Sequence, residues 1–405
     1  MRAGLAAAGP LDDPTASRNA GRELLSLALL DSRNHLLHGL AAWPDPPPAA
    51  LRAALHAGWY QEHWIAKHVQ RQRGEACDPA GPRLAGVEPS VVLWLAAPSV
   101  APDTALPDAD GVRGYLAQTL DITLDLLSST PDEDAPLHFF RQAWLHEDRL
   151  GETLAELLQH GAPPARVPRA PLWMPAQRWQ LGSPRPQDGG TAWTPHNERW
   201  AHALAVPEFE IDAQPVNWQQ FAEFAADGGY DRLDLWSESG RAWLQSADAA
   251  RAPRHVEQLG SAVLVRRGSA GLQRAAAGQA AMHVTRFEAE AWCRWAGRRL
   301  PTEPEWELAA GTAASRGFVW GDVFEWVAGS ARAWPGAGGS PPGCPDPMPP
   351  PGCLDLLPAP GMPATQGVLR GASFATRTRR CHAKARRFAE PGFNAGFVGF
   401  RSCAV

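Results

Sequence analysis

The sequence predicts a helical bundle followed by an irregular α+β domain, and three observations carry that prediction. At 405 residues the chain exceeds what one ordinary core accommodates. From about Ala20 to His160, apolar residues recur at three- and four-residue spacing. Past residue 175 this periodicity yields to short apolar runs broken by Gly, Trp and turn residues.

The elements follow in order. Arg22 to Leu40 reads as a helix with Leu25, Leu27, Leu29, Leu30, Leu36 and Leu37 at helical spacing. A proline-rich break, Pro44 to Pro48, separates it from a second helix expected over Ala49 to Gln72. A third spans Val112 to Leu127, with Val112, Leu116, Leu120, Ile122 and Leu126 on its apolar side. Pro136 opens a fourth that runs to Gln159 and is closed by Gly161 and two prolines. Four such helices form an antiparallel bundle, whose interior can hold a metal between facing side chains. Residues 1–19 read as a disordered leader, 20–160 as the bundle, 161–175 as a linker and 176–405 as the second domain. In that domain two helices stand out, Trp218 to Ala226 and Thr285 to Ala296, and residues 335–363 form a Pro/Gly-rich insertion.

Composition narrows the function. Apolar residues make up 44% and charged residues 20%, the balance of a globular protein. A formal charge of −5 without a basic block argues against nucleic acid as partner. No apolar run reaches the roughly 18–20 residues that cross a bilayer, so no membrane partner is expected. Six cysteines lack any CxxC pair, which fits reduced thiols and a cytoplasmic location. The 18 tryptophans are unusual, and indole faces suit cationic ligands as well as cores.

The C-terminal half carries the most specific motifs. FEAEAWCRWAGRRLPTEPEWELAA (Phe287 to Ala310) is followed in order by WGDVFEW (Trp320 to Trp326), VLRGASFATR (Val368 to Arg377) and GFRS (Gly399 to Ser402). VPEFEIDAQPVNWQQFAEF (Val206 to Phe224) precedes them. Together they resemble formylglycine-generating-enzyme-like domains, which implies an irregular, C-type-lectin-related fold. Enzymes that make formylglycine use a cysteine pair after the RGGS-type motif. Here that stretch offers Cys381 alone, with Thr376 where the partner thiol is expected, which disfavours that chemistry.

The N-terminal half points to another branch. LHAGWYQEHWIAKHVQRQRG (Leu55 to Gly74) and WLHEDRLGETL (Trp144 to Leu154) resemble the metal-binding helices of the ergothioneine/selenoneine-type sulfoxide synthases. These enzymes join a DinB-like four-helix bundle to a formylglycine-generating-enzyme-like domain, and the wording is closest to the selenoneine synthases. The resemblance implies a non-haem Fe(II) cofactor, O2, hercynine, and a selenosugar or thiol donor. It places His56 and His146 as metal ligands and Glu152 beside them. Gln61 and Arg149 are then candidates to touch the imidazole of hercynine, and Trp59 and Trp326 to face its trimethylammonium.

One position departs from the family pattern HxxxHxE, where the second histidine falls on Leu150. Side chains at i and i+4 lie about 40° apart on one helix face, so both can reach one ion. Glu152, at i+6 and about 240° around, cannot stand in for the missing ligand. His63, Glu62, Glu147 and Asp148 are candidate replacements. Near the C-terminus, Pro391 to Phe397 lacks the acidic residues that the family places before GFR. Two readings follow: an iron-dependent synthase forming a C–S or C–Se bond, or a catalytically degenerate paralogue that binds a small betaine or sugar-like ligand.

Overall fold

The computed structural model describes residues 9–95, 105–246, 251–336 and 365–405. Its first half is helical: α1 (Pro14–Arg18), α2 (Arg22–Ala41), α3 (Pro48–Gln61), α4 (Val91–Leu95), α5 (Ala109–Ser128) and α6 (Asp134–Leu158). The four long helices pack together, α6 against α2 and α3, and α5 against α3 and α2. Leu25, Leu29, Phe139, Phe140 and Trp144 form one end of their core. Leu36, Leu40, Leu51, Leu55, Leu116, Leu150 and Leu154 form the other. At about 1.5–3 kcal/mol for each fully buried Leu or Phe, this packing is what holds the helices together.

Three expectations need correction here. The second helix does not continue to Gln72; α3 ends at Gln61 and passes into a π-helical turn, Glu62–Ala66. Glu62 is drawn out of the helix pattern, because its carboxylate accepts from Val87 N (2.8 Å) and Tyr115 Oη (2.6 Å). The expected leader is partly ordered, since α1 buries Ser17 and Arg18 against the second half. Arg18 pairs with Glu198 at 2.7 and 3.0 Å. Within the expected linker, Arg166 N bonds to Gly278 O and Leu172–Met174 is already a strand.

The second half adds α7 (Trp218–Ala226), α8 (Glu238–Leu244), α9 (Arg286–Trp295) and α10 (Glu303–Thr312); α7 and α9 are the two expected from the apolar pattern, α10 falls in the helix-turn-helix motif Phe287 to Ala310, and α8 is additional. α7, α9 and α10 each begin with a reciprocal capping box, Asn217/Gln220, Thr285/Glu288 and Thr302/Glu305. These satisfy backbone N–H groups that a helix start leaves open. One four-stranded sheet orders Arg386–Ala389, Gly367–Gly371, Phe324–Ser330 and Val398–Phe400, the last pair parallel. A second orders Leu172–Met174, Phe209–Ile211, Cys403–Ala404 and Arg298–Arg299. Trp326 lies wholly inside, its indole donating to Val284 O at 2.8 Å, so it packs the core and does not face a ligand. The insertion expected at 335–363 lies outside the described residues except for positions 335 and 336.

The halves meet along α6. Asp148, Glu152 and Glu156 stand four residues apart, on one helix face. Asp148 takes both guanidinium arms of Arg379 at 2.6 Å. Glu152 accepts from Ser373 (2.6 Å) and Thr376 (2.5 Å), and Glu156 lies 3.7 Å from Arg387. Asp31 of α2 adds pairs to Arg377 (2.5 Å) and Arg379 (2.7 Å). Asp148→Ala leaves Arg379 with a weaker partner in a dry interface and is expected to cost about 3–5 kcal/mol. Urea unfolding of the full chain measures this; a loss below about 1 kcal/mol means the pair does not hold the interface.

The stability of the chain also responds to acid. Burial and the neighbouring His255 push the fully buried His283 imidazole down to about 3, against a raising bond to Asn394 O. A folded pKa below the ordinary 6.5 means that the unfolded chain binds the proton first. The contribution of His283 is therefore complete above pH 6.5 and is lost as pH falls toward 3. It is worth up to about 5 kcal/mol. His283→Gln is expected to flatten the fall of the unfolding midpoint between pH 6.5 and 4; an unaltered slope assigns it to other groups.

Candidate active site

His56 on α3 and His146 on α6 are buried and face each other across the bundle, His56 Nδ1 lying 2.9 Å from His146 Nε2. Burial, then the neighbouring His56, holds the His146 imidazole well below its usual pKa, in the neutral state a metal ligand needs. The separation suits two ligands of one ion, since nitrogens about 2.1 Å from a metal at right angles stand about 3 Å apart. Tyr60 packs its ring 4.9 Å from His146 and donates to Gln142 at 2.5 Å.

The third ligand of the family pattern has no counterpart. Leu150 is fully buried among Leu36, Leu40, Leu116 and Leu154. The carboxylates nearby are engaged elsewhere. Glu147 is bonded to Arg33 and Gln61, and Asp148 to Arg379. Burial raises the Glu152 carboxyl, but Arg149, Arg380 and the Ser373 and Thr376 hydroxyls outweigh it, so its pKa is lowered and it stays ionised. His63 stacks on Trp59, 4.9 Å between ring centres, and burial pushes it down to about 4. Glu62 is held by Tyr115 and Val87. Among the described residues, no group of three His, Cys, Asp or Glu side chains could hold an ion. The residues present supply a two-histidine pair and do not fit a centre of three protein ligands.

Next to this pair, a cavity of about 150 Å³ lies between the halves. Tyr60, Gln142, His146 and Arg149 line it from the bundle, and Trp193, His196, Asn197, Arg380 and Arg387 from the second half. Of the residues expected to touch a ligand, Arg149 reaches this cavity. Gln61 does not: it is buried inside the bundle, bonded to Glu147, Arg33 and Thr123. Trp59 packs 4.9 Å from His56 and is not part of the cavity wall, and Trp326 lies in the core of the second half, also outside that wall. Sequence reasoning missed Trp193 and His196. Their only signal was a Trp and a His three residues apart in a loop, which no periodicity singles out.

Residues 184–323 match the sulfatase-modifying factor enzyme 1-like domain, which defines the class of the second half. The hercynine oxygenase of Mycolicibacterium smegmatis is 30% identical over 336 residues, covering 69% of this chain and 75% of the relative. That of Mycolicibacterium thermoresistibile is 30% identical over 330 residues, covering 75% of this chain and 70% of the relative. The formylglycine-generating enzyme of Streptomyces coelicolor is 32% identical over a shorter stretch, 35% of this chain and 46% of its own. The chain belongs to the hercynine oxygenase family.

Position 150 is directly testable. Even outer-shell partners of a metal ligand change affinity roughly 10- to 100-fold. Leu150→His is therefore expected to strengthen Fe(II) binding by at least about tenfold, read by anaerobic titration. Equal affinity in the two proteins removes position 150 from the ligand set.

Proposed function

We propose that this chain takes hercynine as its ligand and acts in the oxidative joining of a sulfur or selenium donor to the hercynine imidazole. The kinship with relatives named hercynine oxygenase supports the ligand. The observation that carries the reading is the placing of His146, half of a facing histidine pair, in the wall of a cavity between the halves. In this reading residues 20–160 are a DinB-like bundle, and the second half, which already includes the strand Leu172–Met174, is the formylglycine-generating-enzyme-like domain. His56 and His146 are the metal side of the site, and Arg149 contacts the ligand. O2 is the oxidant, and a selenosugar or a thiol the donor. The WYQEHWIA wording favours selenium, hence selenoneine over ergothioneine. His56 and His146 would hold Fe(II) in such chemistry, and the metal would supply the activation of O2.

A second reading rests on Leu150. A dry leucine at the third ligand place and carboxylates already committed to arginines favour a protein that binds hercynine without turnover.

Anaerobic Fe(II) titration with and without hercynine, followed by O2 and a donor, separates the two. Stoichiometric iron and a hercynine–chalcogen adduct support the synthase. Bound hercynine with no iron uptake supports the second reading, and absence of hercynine binding overturns both.

A further inference from the structure

Two residues of the cavity wall each keep a buried polar atom that nothing else in the described structure uses. Trp193 and His196 are 8% and 9% exposed, and both line the cavity. Trp193 Nε1 and His196 Nδ1 have no hydrogen-bond partner among the described residues. Burying such a group unsatisfied costs about 1–3 kcal/mol, which the fold has accepted twice within four residues.

The loop that carries them is fixed from both sides, so the two atoms are held in place. Asn197 donates to Arg386 O at 2.6 Å, and Arg386 returns a bond to Asn197 O at 2.9 Å. Arg199 donates to Thr194 O, and Glu198 closes on Arg18 and Ser183. Burial and Arg199 lower the pKa of His196 against the raising effect of Glu75, so its ring is neutral near pH 7 and has one N–H to offer.

The chemistry of the missing partner follows. An indole N–H only donates, so the ligand atom beside Trp193 is an acceptor. The cavity wall holds six guanidinium side chains against one carboxylate, Glu198, with Arg380 and Arg387 beside the loop. Further carboxylates stand behind these arginines and anchor them, as Glu152 does Arg380 at 3.4 Å and Glu156 does Arg387 at 3.7 Å. The other arginines of the wall are paired as well, Arg18 to Glu198, Arg149 to Glu152, Arg379 to Asp148 and Arg386 to Glu303, so the surface is rich in donors more than in net charge and selects a strong hydrogen-bond acceptor.

We propose that Trp193 and His196, backed by Arg380 and Arg387, form the seat for a carboxylate of the bound ligand. This rests on the proposed function: hercynine carries a carboxylate at the end away from its imidazole, and an amino-acid thiol donor carries one too. The seat orients that ligand with its reacting end toward His146.

The test is calorimetric binding to the full-length wild type, Trp193→Phe and His196→Ala, with melting curves to verify folding. His196→Gln is substituted if the alanine variant unfolds. The probes are hercynine, trimethylhistamine (the same cation and imidazole without the carboxylate), cysteine and succinate. The expected result is that each variant binds hercynine at least about tenfold more weakly, the worth of one hydrogen bond to a charged group. Trimethylhistamine affinity then stays unchanged. A loss confined to cysteine supports the seat and assigns it to the donor. If the wild type binds hercynine and both variants bind hercynine and cysteine equally well, the seat is overturned while the proposed function stands. If the wild type binds no hercynine, the function reading fails, and succinate decides the seat: binding lost in the variants supports it, and absent or unaltered binding overturns it.

Discussion

The structure depends on the acidic face of α6. Asp148, Glu152 and Glu156 present one carboxylate per turn to a segment of the second half that carries Arg379, Arg380 and Arg387. Charges buried at a domain junction are tolerable only when each is paired and hydrogen-bonded. Here the pairing fixes the rotation and the height of α6 against the second half. His146 is two residues from Asp148 on the same helix, so the register that satisfies Arg379 also sets where His146 meets the cavity.

The same helix shows how one residue redefines a site without disturbing its frame. Leu150 fills its place among Leu36, Leu40 and Leu154 with no exposed surface, so the bundle loses nothing in packing. What changes is the electrostatic character of the spot. A histidine there offers a lone pair and a hydrogen-bonding edge, whereas leucine excludes both ion and water. The neighbouring acids cannot relax into the role, because releasing Asp148 or Glu152 strands a buried guanidinium or two hydroxyls.

Much of this was legible in the sequence, and the exceptions have physical reasons. The Leu25–Leu37 spacing located α2 to within a residue at each end, because a buried helical face must repeat. The second helix was drawn too long because the tertiary pull of Val87 and Tyr115 on Glu62 is invisible to periodicity. α10 was carried by a motif but not by apolar spacing: Trp306 and Leu308 are buried alongside Glu305 and Glu307, which are paired to Arg299 and Arg370. At the site, the facing of His56 and His146 came from a family pattern, whereas Trp193 and His196 lie in a loop whose placement depends on Arg199 next to it and on Arg386 and Arg18 from remote segments. Gln61 and Trp326 were misjudged for one reason: sequence gives the neighbours along a helix or strand but not which side is already occupied.

The charge stripe along α6 also constrains how this chain can diverge. Each half is electrically incomplete alone, with acids on one surface and arginines on the other. A drift that removes Arg379 burdens Asp148, and a new partner can relieve it only from the same small area. The two halves therefore behave as a lock cut together with its key. A bundle borrowed from a relative with a different stripe cannot seat on this second half, even where both folds match.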